Sequence, residues 1–478
     1  MIPALLLLGC QPQITAATAA LRLTECHIQG LDAESRCGTL TVFEDRAAQQ
    51  GRTLDLNVLV VPAVSPTPQP DPLFILAGGP GQAASEVAAQ IFPAIEDIQA
   101  RRDLVFLDQR GTGGSNPLQC PDTEDAHDLT AMLLRDMGEA MRACQDAVSE
   151  NADLSLYSTP IAMDDLDDVR AALGYETINL YGVSYGTRAG LVYLRRHPDR
   201  VRAAILDGVA PLEMAIGLHF AEDGQAALDA MFSDCAADVG CDEKFPALKA
   251  RYAALHQALS EPRAVDYVDP RTGASKSLEM DQTVFAAGVQ GILYQPIFTS
   301  LLPLSIAAAE QGDFTPFIAQ AYGMSDGVSS SIYSGMQMSV MCAEDQPRYP
   351  QDRSAVGKGT SLGSAIVEEI SAACAEWPRA TLPDGFAEPV TSTVPVLLLS
   401  GALDPVTPPR WGEIASKSLP NSLHIVAPGA GHNVAPVGCG PRLMEAFIDA
   451  GAVDDLDREC INRIKRPPFF LDFSGPTP

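Results

Sequence analysis

The sequence predicts an α/β protein with a mostly parallel central sheet, helices on both faces of that sheet and a mainly helical insertion. Short apolar runs, of the length typical of strands buried on both faces, recur along the 478-residue chain. Helical segments separate these runs, and strands that alternate with helices favour parallel pairing. The alternation stops after Leu206 and resumes only near Val394, which indicates the insertion. The chain has no repeat of the length expected of solenoids or propellers.

The apolar runs predict seven strands, and two further segments predict helices of the core. The strands are residues 54–61, 72–77, 104–107, 177–181, 203–206, 394–399 and 423–426. A helix is predicted over residues 163–173, because acidic residues lie near its start and Gly174 follows its end. The next helix is predicted over residues 185–196, after the fourth strand.

These segments divide the chain into four parts. We expect residues 1–10 to form a lipoprotein-type signal segment, 11–210 the N-terminal part of the core, 211–388 a helical cap and 389–478 the C-terminal part of the core. Within the cap, residues 226–232 and 245–259 have helical spacing. We expect the cap to cover the carboxyl ends of the strands, where open α/β sheets bind ligands.

The charge balance limits the partners of the protein. The chain has 61 acidic and 32 basic residues, which gives a formal net charge of −29. Such a field repels phosphate backbones and anionic lipid headgroups, so we expect no nucleic-acid partner. Solubility explains the acidity, and attraction of a cationic substrate group is the alternative. The sequence does not specify the oligomeric state.

The N-terminus is a short apolar segment that ends in Leu7-Leu8-Gly9-Cys10. It resembles a bacterial lipoprotein signal, in which Cys10 would become the lipidated N-terminus and anchor the mature chain to a membrane. The segment contains no Lys or Arg, and an ordinary short signal or a frayed apolar start is the alternative. The lipoprotein interpretation predicts an exported protein of the periplasm or cell envelope.

Ten further cysteines predict disulfides. They are Cys26, Cys37, Cys120, Cys144, Cys235, Cys241, Cys342, Cys374, Cys439 and Cys460. Taken two at a time in this order, the cysteines of each pair lie 11, 24, 6, 32 and 21 residues apart, which suits five sequential disulfides in an oxidising compartment. Zinc ligation and free buried cysteines are the alternatives. No Cys-x-x-Cys or His-Glu-x-x-His motif is present, so we expect no metal and no cofactor.

A glycine-flanked serine follows the fourth predicted strand. The segment Gly182-Val183-Ser184-Tyr185-Gly186 lies where that strand gives way to a predicted helix. A sharp turn of this kind presents a serine hydroxyl at the helix N-terminus, and the two glycines supply the space that it needs. Ser184 is therefore the predicted nucleophile.

A serine hydroxyl needs a base to accept its proton and an acid to orient that base. Asp404 and His432 each follow a predicted strand, and the order Ser, Asp, His is typical of α/β-hydrolases. We predict an acyl-enzyme at Ser184, with His432 as base and then acid. The backbone N–H groups of Gly79, in a Gly-Gly-Pro-Gly turn, and Tyr185 are the predicted oxyanion donors.

Several segments together resemble the proline iminopeptidase and tripeptidyl aminopeptidase group of α/β-hydrolases over most of the chain. They are residues 37–42, 78–81, 108–115, 165–170 and 181–187 and the segments around Asp404 and His432. Ala77 stands where proline iminopeptidases usually carry His, which favours the secreted tripeptidyl branch. The resemblance implies a serine peptidase that releases short N-terminal units from peptides with a free N-terminus.

The resemblance also implies a cap carboxylate that holds the substrate ammonium. Residues 341–346 look like the corresponding segment, so Glu344, with Asp345 as second choice, is expected to bind the peptide N-terminus. Solvated surface charge is the alternative for both residues. Arg110 is expected to brace the glycine-rich loop that contains it. An esterase or lactonase with the same triad is the alternative function, because a triad fixes acyl transfer and not the leaving group.

A third hypothesis is a binding or scaffold protein without catalytic activity. The presence of Ser184, Asp404 and His432 together argues against it.

Overall fold

The computed structural model describes residues 21–121, 137–270, 272–329 and 331–475. The predicted signal segment and Cys10 lie outside these residues. A nine-stranded sheet has the order β1-β2-β3-β5-β4-β6-β7-β10-β11. Its strands are β1 (Thr24–Cys26), β2 (Ser35–Phe43), β3 (Thr53–Val61), β4 (Leu73–Leu76), β5 (Leu104–Leu107), β6 (Ile178–Val183), β7 (Val201–Asp207), β10 (Val396–Gly401) and β11 (Ser422–Ala427).

The fold confirms the predicted α/β class. Strands β5, β4, β6, β7, β10 and β11 pair in parallel, and β1, β2 and β3 add an antiparallel edge. Every residue of β4, β5 and β10 is buried, as the continuous apolar runs predicted. Strands β1 and β2 were not among the predicted strands. Most residues of β2 are exposed or half-buried, so this strand lacks a continuous apolar run.

Helices cover the sheet on both faces. Those that precede β7 are α1 (Ala88–Ile91), α2 (Glu96–Gln99), α3 (Met137–Ser149), α4 (Thr159–Leu173) and α5 (Tyr185–Arg196). Helix α5 has the predicted bounds, and α4 begins four residues earlier than predicted, with Pro160 in its first turn.

The chain between β7 and β10 is mostly helical. Its helices are α6 (Phe220–Ala237), α7 (Val239–Lys244), α8 (Leu248–Ala258), α9 (Gln282–Ile292), α10 (Pro296–Thr299), α11 (Leu302–Glu310), α12 (Thr315–Ser329), α13 (Ser334–Glu344) and α14 (Ala365–Ala373). An antiparallel hairpin of β8 (Arg263–Val268) and β9 (Ser275–Met280), which was not predicted, lies among them. Helices α15 (Pro409–Ser416) and α16 (Gly440–Ala450) follow β10 and β11, respectively.

The cysteines pair sequentially, in the order that the spacing predicted. The disulfides are Cys26–Cys37, Cys120–Cys144, Cys235–Cys241, Cys342–Cys374 and Cys439–Cys460. Across the described ranges, no helix combines the length and the apolar character needed to cross a membrane.

Candidate active site

Ser184 lies on a strained turn between β6 and α5. Its φ of 57° is in the left-handed region, which a non-glycine residue rarely adopts. A Cβ atom on Gly186 would lie 2.0 Å from the carbonyl oxygen of Leu76, and one on Gly182 would lie 2.4 Å from the carbonyl oxygen of Gly186. Only glycine fits at these two positions, so the turn requires the pattern found around Ser184.

Asp404 and His432 are brought together at the carboxyl edge of the sheet, because β10 and β11 are parallel neighbours. Asp404 Oδ2 lies 3.0 Å from His432 Nδ1, and both residues are buried. Asp404 Oδ1 accepts hydrogen bonds from the backbone N–H groups of Val406 and Thr407, each at 2.9 Å. The Thr407 hydroxyl donates to Asp404 Oδ2 at 2.6 Å. These bonds hold the carboxylate in one orientation against the imidazole.

The two residues shift each other's titration in opposite directions. Burial alone would raise the pKa of Asp404, but the charge of His432 and hydrogen bonds from His432 and Thr407 hold that pKa below its ordinary value. Burial alone would lower the pKa of His432, but Asp404 and the more distant charge of Asp207 raise it overall. The site therefore stabilises a carboxylate beside an imidazolium, the state that forms when the histidine accepts a proton.

A cavity of about 540 Å³ opens over these residues, and both Ser184 and His432 line it. In the described part of the chain, no hydrogen bond joins the Ser184 hydroxyl to His432. Gly79 and Tyr185 also line the cavity. Tyr185 is the first residue of α5, and the first N–H groups of a helix have no partner within the helix. The predicted oxyanion donors thus lie beside the serine.

Apart from His432, the described part of the cavity wall is uncharged. Its apolar side chains include Met214, Ile216, Phe220, Met338, Met341, Ile366 and Ile370, and its polar ones include Gln82, Gln90, Tyr294, Gln295, Gln337, Thr407 and Asn433. None of the described lining residues is Asp, Glu, Lys or Arg. A mostly apolar wall with a few polar groups is typical of small-ligand sites.

The prediction for Glu344 and Asp345 needs correction, because both side chains lie inside the protein and outside the cavity lining. Glu344 accepts hydrogen bonds from the N–H of Thr159, at 2.7 Å, and from its hydroxyl, at 2.9 Å. Asp345 accepts two bonds from Arg188, at 2.9 and 3.1 Å, and a third from the N–H of Ile216. The acceptors of both carboxylates are therefore occupied by internal donors.

Glu344, Asp345, Arg188 and Arg348 form a buried cluster of paired charges. Arg348 donates to Asp345 at 3.0 Å, and Arg188 lies 3.8 Å from Glu344. Two guanidinium groups thus face two carboxylates, which leaves no excess negative charge to hold a substrate ammonium. Burial raises the pKa of Glu344 to about 7, although Arg188 opposes the shift. The cluster is connected to the site through Tyr185, whose hydroxyl lies 2.6 Å from that of Thr159.

Arg110 lies away from the cavity and braces the structure, as the sequence predicted. It is fully buried and donates two hydrogen bonds to Asp165, at 2.6 and 3.0 Å, and one to the carbonyl of Glu44. Within the described ranges, no group of three or more His, Cys, Asp or Glu residues is arranged to hold a metal ion.

Three residues of the site were missed by the sequence analysis. Thr407 fixes Asp404, as described above. The ring of Tyr294 packs edge-on against His432 with centroids 5.1 Å apart, and its carbonyl accepts the His432 N–H. Asp207 ends β7 and contacts the segment after His432. Its position at the carboxyl end of a predicted strand was the only available signal.

Comparisons with known proteins agree with the fold. Residues 71–438 match the family model described as alpha/beta hydrolase fold. The chain is 28% identical over 464 residues to serine protease Hip1 of Mycobacterium tuberculosis, which covers 89% of this chain and 87% of that protein. It is 31% identical over 209 residues to tripeptidyl aminopeptidase of Streptomyces lividans, covering 41% and 39%. It is 34% identical over 276 residues to carboxylesterase B of M. tuberculosis, covering 52% of each.

Proposed function

We propose, from the premise that the chain belongs to the α/β-hydrolase fold family, that it is a serine peptidase that releases short N-terminal units with uncharged side chains from peptides. One observation carries the proposal: the strained Ser184 and His432, which pairs with Asp404, line the same cavity of about 540 Å³, and none of its described lining residues is Asp, Glu, Lys or Arg. A cavity of this size suits a short acyl unit better than a long peptide chain.

The geometry supports acyl transfer through Ser184. Because Nδ1 of His432 faces Asp404, Nε2 is left to accept the proton of the Ser184 hydroxyl as the oxygen attacks the substrate carbonyl. The backbone N–H groups of Gly79 and Tyr185 would stabilise the negative charge that develops on the carbonyl oxygen. His432 then returns the proton to the leaving amine, and water hydrolyses the acyl-enzyme by the same steps. These steps use side chains and backbone of the chain itself.

The relatives support a peptide substrate. A protein named as a serine protease matches most of this chain, and one named as a tripeptidyl aminopeptidase matches part of it. The lining supports a released unit with uncharged side chains, because a charged side chain against this wall would be desolvated without a partner.

Ester hydrolysis is the second candidate. The observation that favours it is the absence of any carboxylate among the described lining residues, because a free N-terminus usually needs an acidic partner. Part of the chain also resembles a protein named as a carboxylesterase.

We further propose export to the periplasm or cell envelope, with anchoring through a lipidated Cys10. Five disulfides support the compartment, because disulfides persist where conditions are oxidising.

The test compares Ala-Ala-Pro and Leu anilides, each with a free and an acetylated N-terminus, and a short acyl ester. Wild type and Ser184→Ala are assayed beside Ser233→Ala, which removes an exposed hydroxyl of α6. Faster hydrolysis of the free-amine peptides than of their acetylated forms supports the aminopeptidase, provided that this activity is lost in Ser184→Ala and kept in Ser233→Ala. Turnover of the ester alone supports the second candidate, and equal activity of the two variants contradicts both.

A further inference from the structure

Asp207 connects the two halves of the site. It is the last residue of β7 and is fully buried. Its Oδ1 accepts the N–H of Val434 at 2.9 Å, and its Oδ2 accepts the N–H of Ala435 at 3.0 Å. These amides lie two and three residues after His432. One side chain therefore fixes the direction of the chain as it leaves His432.

The backbone of the same residue holds the nucleophile. The carbonyl oxygen of Asp207 accepts the N–H of Ser184 at 2.8 Å. The next residue, Gly208, has a φ of 72°, and a Cβ atom there would lie 2.8 Å from the carbonyl oxygen of His432. This close approach requires glycine. The pair Asp207–Gly208 thus contacts the turn of Ser184 on one side and the loop of His432 on the other.

Within the described ranges, no arginine or lysine pairs with the carboxylate of Asp207. Among the described residues, its hydrogen bonds come from the two amides, and burial, together with the negative charge of Asp207, raises the pKa of the neighbouring Tyr181 phenol. An isolated buried charge is costly, so such a group is expected where its charge has a use. The basic group that interacts with this carboxylate is His432, whose pKa the negative charge of Asp207 raises.

We propose that Asp207 is a positioning residue: it holds the segment after His432 so that the imidazole stays over Ser184, and its charge supports the imidazolium formed during proton transfer. The proposal rests on the acyl-transfer role proposed for Ser184. Asp207 acts through His432, because its own oxygens are occupied by the Val434 and Ala435 amides.

Several groups take part in the pH dependence of this arrangement. His432 faces the carboxylates of Asp404 and Asp207 and the phenol of Tyr294. Asp207 faces His432, Asp404 and the phenol of Tyr181. Burial raises the pKa of Asp207 to about 6, although the two amides and His432 oppose the shift. Asp207 is therefore ionised above about pH 6 and neutral below it.

The first test compares Asp207→Asn with Asp108→Asn. Asp108 is also fully buried and also holds backbone amides, those of Ser85 and Gly114, but does not contact His432. We expect Asp207→Asn to lower kcat by about 10- to 100-fold, a fraction of what general acid–base catalysis contributes. Without the carboxylate the pKa of His432 falls, so the acid limb of the kcat/KM profile moves to lower pH. In Asp108→Asn, the acid limb of the kcat/KM profile is expected to stay at the pH of wild type.

Activity of Asp207→Asn within twofold of wild type, with an unmoved acid limb, overturns the proposal. A lower kcat with an unmoved limb overturns the electrostatic part and leaves a purely structural residue. Labelling of Ser184 by a fluorophosphonate is measured in the same samples. A wild-type chain that does not react contradicts the proposed function and leaves the next test to decide the role of Asp207.

The second test needs no substitution and therefore no folded variant. Hydrogen exchange of the wild-type chain is followed by mass spectrometry between pH 5 and 8 and corrected for the intrinsic rate. Protection of the Val434 and Ala435 amides is expected to fall several-fold as Asp207 takes up a proton below about pH 6. Amides inside α16, which bond to backbone carbonyls, serve as the control. Constant protection of Val434 and Ala435 overturns the proposal.

Discussion

Asp404 Oδ2 lies 3.0 Å from His432 Nδ1. This contact directs the Nδ1 proton towards the carboxylate and leaves Nε2 free to accept a proton from the cavity side. Thr407 bonds to the same carboxylate oxygen and fixes its orientation. The orientation and the tautomer of the His432 ring therefore depend on Asp404.

Asp404→Asn is expected to lower kcat by about 10⁴-fold, because an amide favours the wrong imidazole tautomer. His432 must be neutral to act as base, so activity rises as pH increases through its raised pKa. Removing the carboxylate lowers that pKa, and the acid limb of kcat/KM moves to lower pH. Steady-state kinetics between pH 5 and 9 measure both effects. The control is Asp223→Asn, a buried aspartate that pairs with Arg410, and a loss below tenfold in Asp404→Asn contradicts the assignment.

Gln337→Glu is expected to change substrate preference, because it places a carboxylate in an otherwise uncharged wall. We expect the kcat/KM ratio of a free-amine substrate to its acetylated form to rise about tenfold, equivalent to ~1.4 kcal/mol. Gln346→Glu is the matched control, because it adds the same charge outside the cavity lining. An equal rise in both variants would show a general field effect instead.

The Cys342–Cys374 disulfide joins α13 to α14, the helices that carry Met341 and Ile370 into the cavity wall. Replacing both cysteines by serine is expected to destabilise the fold by about 2–4 kcal/mol and to lower kcat/KM. Replacing Cys26 and Cys37, which join the edge strands β1 and β2, should affect stability alone. Thermal unfolding and peptide hydrolysis separate the two effects. Unchanged kcat/KM in both double variants would show that the Cys342–Cys374 disulfide does not shape the cavity wall.

Glu344→Gln is expected to reduce the pH dependence of stability. The pKa of Glu344 is about 7 in the folded chain and 4.5 ordinarily, so the folded state binds the proton more tightly. Stability therefore falls as pH rises from about 4.5 to 7, by up to ~3 kcal/mol. The raised pKa of Asp207 acts in the same direction and remains in the variant. Urea unfolding at pH 5 and at pH 8 measures the change in the free energy of unfolding between the two pH values. An equal change in wild type and in Glu344→Gln would contradict the raised pKa of Glu344 in the buried cluster.

Patterns of a few consecutive residues predicted much of the candidate site. Ser184 was found because the turn requires glycine at 182 and 186, a requirement visible in five consecutive residues. Asp404 and His432 were found because each follows an apolar run that forms a parallel strand. In these cases the signal lies within a few consecutive residues.

Pairing between distant segments could not be predicted in this way. Glu344 was expected to bind substrate, but it meets Thr159 and Arg188, which are far from it in the sequence. Asp207 contacts a segment more than 200 residues away, and no local pattern distinguishes it from other aspartates at strand ends. Strand β2 was missed because its side chains are not continuously buried. Sequence patterns show which groups are present, and the tertiary contacts determine which of them remain available.

The most direct test of the central claim is acid-quench mass spectrometry of the chain during turnover of a peptide anilide or ester. We expect an acyl adduct on the peptide that contains Ser184, absent from Ser184→Ala, together with about a millionfold loss of kcat in that variant. Turnover without an adduct on Ser184, or substantial turnover by Ser184→Ala, would contradict nucleophilic catalysis at this residue.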